Sequence, residues 1–420
     1  MRDLAPSASI EKNADSTPAP GQGLAALGLA PMEGVTVLPM RLWMHLASAP
    51  KSLATPFLRV TATYPNHELP RTFAPELTEL RDTVPYQLVP QIMAADQADF
   101  VRIAPLFLRH TPFVELNCGC PSPTCVGSGA GSSLLRDADE FRSIIQGITS
   151  ELGAERFAVK MRTGFKNDEE FATLLSALSE HNLARLTVHG RTRPDRYKGY
   201  ARWDLIEFAA NMAQAPVIAS GDVVDIASLV HRAKIAPSVK GTIIGRGALR
   251  NPWIFAELRT GAPVNLKFST LKLALITHAL LHELANTDME GLFELAKTGL
   301  FHGECGTDED RWQHVHDQLS HRLWPSATGS MTAHEPRDVS RVTLGRLKML
   351  WNYLRSSLPP PFFEPGPLRA GNLAGFLAGL SVAYEACGRP FVLNLRHAPE
   401  WDWLYSGGKQ QAETCPTESN

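Results

Sequence analysis

Between residues 27 and about 250 the chain alternates short apolar runs with amphipathic stretches of helical spacing. The runs are LGLAPMEG (27–34), TPFLRV (55–60), YQLVPQIM (86–93) and FVELNCGCP (113–121). They continue with FAVKMRTGF (157–165), LTVHGR (186–191), PVIASGD (216–222) and GTIIGRGAL (241–249). They open on residues suited to a buried strand, and Gly, Asn, Cys, His or Arg recur toward their C-terminal ends. Apolar runs joined by helical crossovers are the pattern of parallel βα units. Eight such runs predict an α/β fold closed as a (β/α)8 TIM barrel. Its interior is expected to be filled by branched apolar side chains, and its chemistry to sit at the C-terminal strand ends.

After Pro252 the period changes. LKLALITHALLHELA (271–285), TLGRLKMLWNYLRSSL (343–358) and NLAGFLAGLSVAYEA (372–386) have helical spacing, and PPPFFEPGP (359–367) is a rigid break between helices. The expected division is a disordered tail over 1–23, a barrel over 24–259, a helical domain over 260–400 and a tail over 401–420. Within the helical domain, residues from about 286 to 340 read as an inserted, mobile acidic excursion.

Composition narrows the class. With 44% hydrophobic and 20% charged residues among 420, the chain has ample material for a core. No apolar run reaches the roughly 18 residues of a membrane span. The N-terminal stretch lacks a signal-like apolar region, so a cytoplasmic location is expected. Six cysteines, three of them scattered (Cys305, Cys387, Cys415), do not make a disulfide framework. The net charge is −2, but Asn286–Ser340 holds ten acidic and four basic residues, which leaves +4 on the rest. A basic working surface is therefore compatible with the overall balance.

The polar residues at the run ends form the candidate site. Pro31, Met32 and Glu33 end the first run, Gln91 the third, Asn117 and Cys120 the fourth, and Lys160 and Arg162 the fifth. His189 and Arg191 end the sixth, Ser220, Gly221 and Asp222 the seventh, and Gly245 and Arg246 the eighth. Glycine-bearing loops after strands seven and eight are the usual phosphate site of this architecture, because their amides reach an oxyanion without a Cβ in the way. A phosphate there fixes a cofactor whose head group lies over the mouth, near Lys160 and Gln91. FMN fits, since Lys and Gln stabilise negative charge near N1 and O2 of a reduced isoalloxazine. The segment Asn117-Cys118-Gly119-Cys120-Pro121 … Cys125 allows a reactive thiol, a zinc site or a disulfide. The spacing lacks Cys-x2-Cys and a nearby fourth ligand, which weighs against zinc. His302, Cys305, His314, His316 and His321 also fall within twenty residues, and the simpler reading is incidental histidines in the acidic segment.

LAPMEGVT, ELNCGCPSPT…GSGAGSSLL, VKMRTGF, LTVHGRT, PVIASGD and IIGRGAL, in that order, resemble the tRNA-dihydrouridine synthases. PMEG and NCGCPS resemble the C-type class, which in bacteria acts on position 16 of the tRNA D-loop. The resemblance implies FMN as cofactor, NADPH as reductant and tRNA as partner, with no metal, no membrane and a monomeric protein. It makes Cys120 the general acid that protonates C5 of uracil as hydride reaches C6. An ordinary thiol, ionising near pH ~8.5, is mostly protonated at neutral pH and suits that role. Lys160 and His189 are implied to touch the flavin, and Asn117 and Arg162 to hold the base. Arg191, Arg193 and Tyr197 lie in the basic, aromatic stretch HGRTRPDRYKGY, suited to phosphates and stacked bases. Arg346, Lys348, Tyr353 and Arg355 are the expected tRNA-gripping residues of the helical domain, with the acidic segment turned away from the RNA. Pro56 departs from the pattern, standing where C-type relatives carry Glu before Phe. Two other readings share the motifs: an FMN barrel reducing a free small molecule, and a non-catalytic tRNA-binding factor.

Overall fold

A computed structural model describes residues 26–67, 69–70, 72–325, 338–388 and 393–395. The tails expected at 1–23 and 401–420 lie outside the described residues. Eight parallel strands close on themselves: β1 (Ala26–Leu29), β2 (Ser52–Arg59), β3 (Gln87–Met93), β4 (Val114–Cys118), β5 (Phe157–Arg162), β6 (Arg185–His189), β7 (Val217–Ser220) and β8 (Gly241–Ile244). The pairing of Ala26–Leu29 with Gly241–Ile244 seals the barrel. All eight apolar runs therefore contain a strand. Gln91, Asn117, Lys160, Arg162, His189 and Ser220 lie within the ladders, whereas Pro31–Glu33, Cys120, Arg191, Gly221–Asp222 and Gly245–Arg246 lie beyond them at the mouth.

Two expectations need correction. Among the described residues, the crossover between β2 and β3 holds no α-helix, only a single 3-10 turn at Pro75–Leu77. Pro65, Pro70, Pro75 and Pro85 interrupt it, and each removes a helix donor. A buried ion pair anchors this segment instead: both carboxylate oxygens of Glu76 accept from Arg41, at 2.5 and 2.7 Å. The barrel interior, expected to be aliphatic, also carries a polar layer. Glu115 of β4 accepts from Gln91 of β3 at 2.7 Å, and from Arg185 and Thr187 of β6 at 2.7 and 3.0 Å. Glu115 thus finds its partners on β3 and, across the barrel interior, on β6, while Arg185 Nε in the same layer is buried without one.

The acidic segment is also more ordered than the sequence implies. It contains helices Met289–Lys297 and Glu309–Leu323, which pack on the long helix Phe268–Thr287. Trp312, Val315 and Leu319 repeat at helical spacing and are buried, while the charges face out. The turn before the second helix docks on Leu46, whose carbonyl accepts from the amides of Cys305 and Gly306 at 2.7 and 3.1 Å. Leu46 lies near the end of the helix Leu38–Ser48, just before the start of β2. The acidic segment is thus tied to the end of the barrel opposite the mouth.

Helix Phe268–Thr287 lies against helix Leu38–Ser48, with Trp43 Nε1 donating to the Ala274 carbonyl at 2.7 Å. This contact buries several histidines. His278 meets the Trp43 ring edge-on at 5.3 Å, and His282 lies 4.5 Å from His278. Burial, then the charge of Arg346, lowers His282 to about 3. Burial, then Arg259 and His302, lowers His45 to about 4. Below its ordinary value of 6.5 each histidine binds a proton in the unfolded chain but not in the fold. The stability they allow is fully present above pH 6.5 and is lost as pH falls toward 4 for His45 and 3 for His282. Each is expected to cost about 1.4 kcal/mol per pH unit through that window. Urea midpoints measured from pH 7 to pH 4.5 check this, and a flat profile would contradict it.

Candidate active site

The mouth of the barrel encloses a cavity of about 510 Å3, within the range of small-ligand sites. Pro31, Met32, Glu33, Asn117, Cys120, Lys160, Arg162, His189 and Arg191 line it, together with Tyr197, Ser220, Gly221, Asp222, Gly245 and Arg246. Residues chosen from separate run ends thus meet around one volume.

The Cys120 loop is shaped by its neighbours. β4 stops at Cys118, and Asn117 Oδ1 accepts from the amides of Gly119 and Cys120 at 3.0 and 2.9 Å. That turn separates the two thiols. Cys118 is fully buried in the core, and burial pushes its thiol up. Cys120 is half-buried and faces the cavity. The two thiols part because the strand ends at Cys118 and the chain turns at Gly119. The Cys120 carbonyl accepts from Ser132 N and Oγ at 3.1 and 2.8 Å. Gly131, at φ +61, permits this approach: a Cβ there would lie 3.2 Å from Cys120 Cβ. Cys125 has its sulfur 3.4 Å from that of Cys120.

Lys160 rises from β5 with no hydrogen-bond partner among the described residues. Burial lowers its amine to about 8, Glu115 opposes that shift, and Arg162 adds to it. His189 Nδ1 pairs with Ser220 Oγ at 3.2 Å, while its Nε2 is buried without a partner. Burial, then Arg162 and Arg191, holds this imidazole well below its ordinary value, so it is neutral. At the end of β7 Gly221 and Asp222 have φ of +130 and +55, and their amides have no partner among the described residues. The Asp222 carboxylate turns away from the cavity, accepting from Arg191 at 2.7 Å and from the Ala201 amide at 2.5 Å. The turn can therefore offer donors to an anion while its own charge is neutralised.

Other predicted residues hold different positions. Gln91 is fully buried beneath the cavity floor, between Glu115 and Asn117 Nδ2, which donates to Gln91 Oε1 at 2.7 Å. It does not line the cavity, because its strand turns that side chain into the polar layer. Arg162 spends its guanidinium on the carbonyls of Gly119, Thr192 and Arg196 at 2.7, 2.9 and 2.9 Å, tying two mouth loops together. Arg191 is 1% exposed, bound to Asp222 and to the carbonyls of Lys198 and Gly199. The three cations expected to grip RNA each bond within the fold. Arg346 donates to the Gly34 carbonyl, Lys348 to that of Ala370 at 2.6 Å, and Arg355 to that of Phe363 at 2.6 Å. They brace the helices against one another and against the β1 loop.

Sequence reasoning missed Phe57, Ser122 and Arg196 among the lining residues, and Tyr353 enters the same cavity from helix Arg341–Leu354. Phe57 had a local signal. Pro56 breaks the β2–β3 register between Ala54 and Phe57, a bulge that re-aims the next side chain. Arg193, Arg196 and Lys198 flank a second groove of about 610 Å3 that starts at Pro121 and Pro123. Among the described residues no group of three or more His, Cys, Asp or Glu is disposed to hold a metal, and no helix is long and apolar enough to cross a membrane.

Fold and mouth together define a (β/α)8 barrel whose functional groups gather at the C-terminal strand ends. The chain belongs to the dihydrouridine synthase family: the model described as Dihydrouridine synthase (Dus) matches residues 28–292, more than half its length. Among its relatives, a Helicobacter pylori protein named "Probable tRNA-dihydrouridine synthase" is 30% identical over 246 residues, covering 56% of this chain and 70% of that one. A Coprinopsis cinerea protein named "tRNA-dihydrouridine(47) synthase [NAD(P)(+)]" is 38% identical over 170 residues, covering 37% of this chain and a quarter (25%) of the relative. A Pseudomonas syringae protein named "tRNA-dihydrouridine synthase B" is 33% identical over 146 residues, 34% of this chain and 43% of the relative. Among solved structures, morphinone reductase aligns with a TM-score of 0.42 at 12% identity, over 56% of this chain and 86% of that one.

Proposed function

We propose that the protein reduces the C5=C6 bond of a tRNA uridine to dihydrouridine, with FMN at the barrel mouth and NADPH as the electron source. The observation that carries this reading is the Cys120 thiol on the wall of the same cavity as Lys160, His189 and the two glycine-bearing turns. The residues fit FMN. His189 Nε2 is a buried polar atom in want of a partner, and the Gly221–Asp222 amides suit a phosphate. Gly245 leaves open the space beside Ala30 and Met32 that a Cβ would narrow.

Bound there, FMN in its reduced form would supply hydride for C6 of the uracil ring. Cys120 supplies the proton for C5, and the Asn117 side chain fixes the loop that aims it. Lys160 offers a positive charge to the flavin ring. That charge exists below a pKa of about 8, so FMN affinity is expected to fall as pH rises through 8. In Lys160→Met the dependence should vanish. Fluorescence titration of FMN at pH 6.5 and 9 checks this, and equal pH slopes in both proteins would refute it.

A uridine in folded tRNA must be extruded to reach the cavity, at a cost of about a few kcal/mol. Tyr197 suits the stacking that offsets this. It is 45% exposed, with the Arg246 guanidinium 4.5 Å and that of Arg162 5.7 Å from its ring centre. Arg193, Arg196 and Lys198 along the adjoining groove offer charge to flanking phosphates. The acidic helices, tied to the far end of the barrel, keep their charge away from that path.

We read the protein as a cytoplasmic monomer, and the resemblance of PMEG and NCGCPS to the C-type class supports position 16 of the D-loop as its target. Unmodified tRNA incubated with protein, FMN and NADPH, then mapped for dihydrouridine, tests both levels. Dihydrouridine at 16 supports the full reading. Dihydrouridine at 47, the position named in the Coprinopsis relative, keeps the activity and overturns the position. Free uridine reduced as fast as tRNA contradicts the substrate.

A further inference from the structure

We infer that Cys120 and Cys125 form an oxidant-sensitive pair, whose conversion to a disulfide removes the proton donor from the cavity. The consequence for activity rests on the role proposed for Cys120; the bond itself does not.

The two thiols are free, and their sulfurs lie 3.4 Å apart. A disulfide needs about 2.05 Å, so closure asks for a shift of little more than 1 Å. Most of the residues between them line the cavity and not the core. Pro121 and Ser122 are half-buried and Pro123 and Thr124 exposed, and they lead into the short helix Pro123–Gly127 that carries Cys125 inward. The pairing is also selective. Cys118 is fully buried on the far side of the turn, and Cys305 docks against Leu46 at the opposite end of the barrel.

The two members are not equivalent. Cys120 lines the cavity, where a small oxidant from solvent reaches it. Cys125 is 3% exposed, packed with Met93 and Ala130. By this difference in access, Cys120 is the sulfur that meets the oxidant first and Cys125 the one that resolves it.

With a peroxide as oxidant the chemistry balances. The Cys120 sulfur attacks one peroxide oxygen, the O–O bond breaks, and one water leaves, giving a sulfenic acid. The Cys125 sulfur then displaces the sulfenic oxygen as a second water, and the S–S bond forms. Two thiols lose two electrons and two protons, and hydrogen peroxide becomes two waters. A dithiol reductant reverses the change. The device spares Cys120 from irreversible oxidation while silencing the site, since a disulfide sulfur has no proton to give.

The test treats FMN-loaded protein with hydrogen peroxide, alkylates free thiols, digests and weighs the peptides. Expected are a Cys120–Cys125 link two hydrogens lighter than the dithiol, with neither residue alkylated, and a fall in dihydrouridine formation of at least about 10-fold that dithiothreitol restores. In Cys125→Ser, peroxide should leave Cys120 as sulfinic or sulfonic acid, and dithiothreitol should restore nothing. Cys125 found alkylated after the wild-type protein is oxidised would overturn the inference. The mass readout needs no tRNA, so the two readings fail separately. A linked pair in a protein that never reduces tRNA sinks the proposed function, and an unlinked pair in an active enzyme sinks this inference alone.

Discussion

Cys120→Ala is expected to slow tRNA uridine reduction by about 10²–10⁴-fold, the range a positioned acid contributes, while FMN uptake stays near that of the native protein. The separation follows from the geometry. The loop around Cys120 is held by its backbone, through the Asn117 side chain on two amides and Ser132 on the carbonyl. Truncating the thiol leaves those bonds in place. The groups assigned to the flavin stand on other strands, Lys160 on β5 and His189 on β6. Flavin reduction by NADPH, measured alone, should therefore be unchanged, and only reoxidation by tRNA should slow. An equal loss in both half-reactions would mean that Cys120 supports the cofactor site and not the proton transfer.

Glu115→Ala is expected to cost about 3–5 kcal/mol of stability, the range for removing one partner of a buried ion pair. Glu115 is fully buried, and its carboxylate receives Arg185, Gln91 and Thr187. Burial works to raise this carboxyl, but the charge and hydrogen bond of Arg185 outweigh it and hold it below the ordinary value. Without the carboxylate, Arg185 is left inside the barrel with no counter-charge from Glu115, and Gln91 Nε2 loses its acceptor. Since Gln91 Oε1 holds Asn117, which holds the Cys120 loop, catalysis should weaken together with stability. A second readout separates charge from packing. Glu115 raises the Lys160 amine toward its value of about 8. In Glu115→Gln, which keeps the shape, the pH at which FMN affinity falls should move lower. Urea unfolding and FMN titration against pH measure the two effects, and a neutral outcome in both would mean that the polar layer is inert.

How far these arguments were legible in the chain depends on the kind of signal. The eight strands were readable because each is a short apolar run cut off by polar or glycine residues, a one-dimensional pattern that survives folding. The convergence of Cys120, Lys160, His189, Gly221 and Gly245 on one cavity followed from the rule that chemistry collects at one end of a barrel. Side-chain direction was not legible. Gln91 and Glu115 look alike as polar residues within strands, and only the register Gln91↔Glu115 of β3 with β4 makes them a buried pair. Arg346, Lys348 and Arg355 looked like an RNA-binding surface, because a sequence does not reveal that a carbonyl on another element already waits for each cation. The segment at 286–340 read as loose because its ten acids stand against only four basic residues. Three apolar positions, Trp312, Val315 and Leu319, were enough to dock a helix. The approach of Cys125 to Cys120 was hidden too, since nothing in a Cys-x4-Cys spacing states that a short helix will bring the sulfurs together.

The most direct test of the account is a single turnover without oxygen. Protein carrying reduced FMN is mixed with unmodified tRNA, and flavin reoxidation is followed beside dihydrouridine formation. The account predicts that both appear together, one dihydrouridine for each flavin reoxidised, and that Cys120→Ala slows both alike. Reduced flavin that ignores tRNA, or that is reoxidised at the same speed without the thiol at position 120, would contradict it.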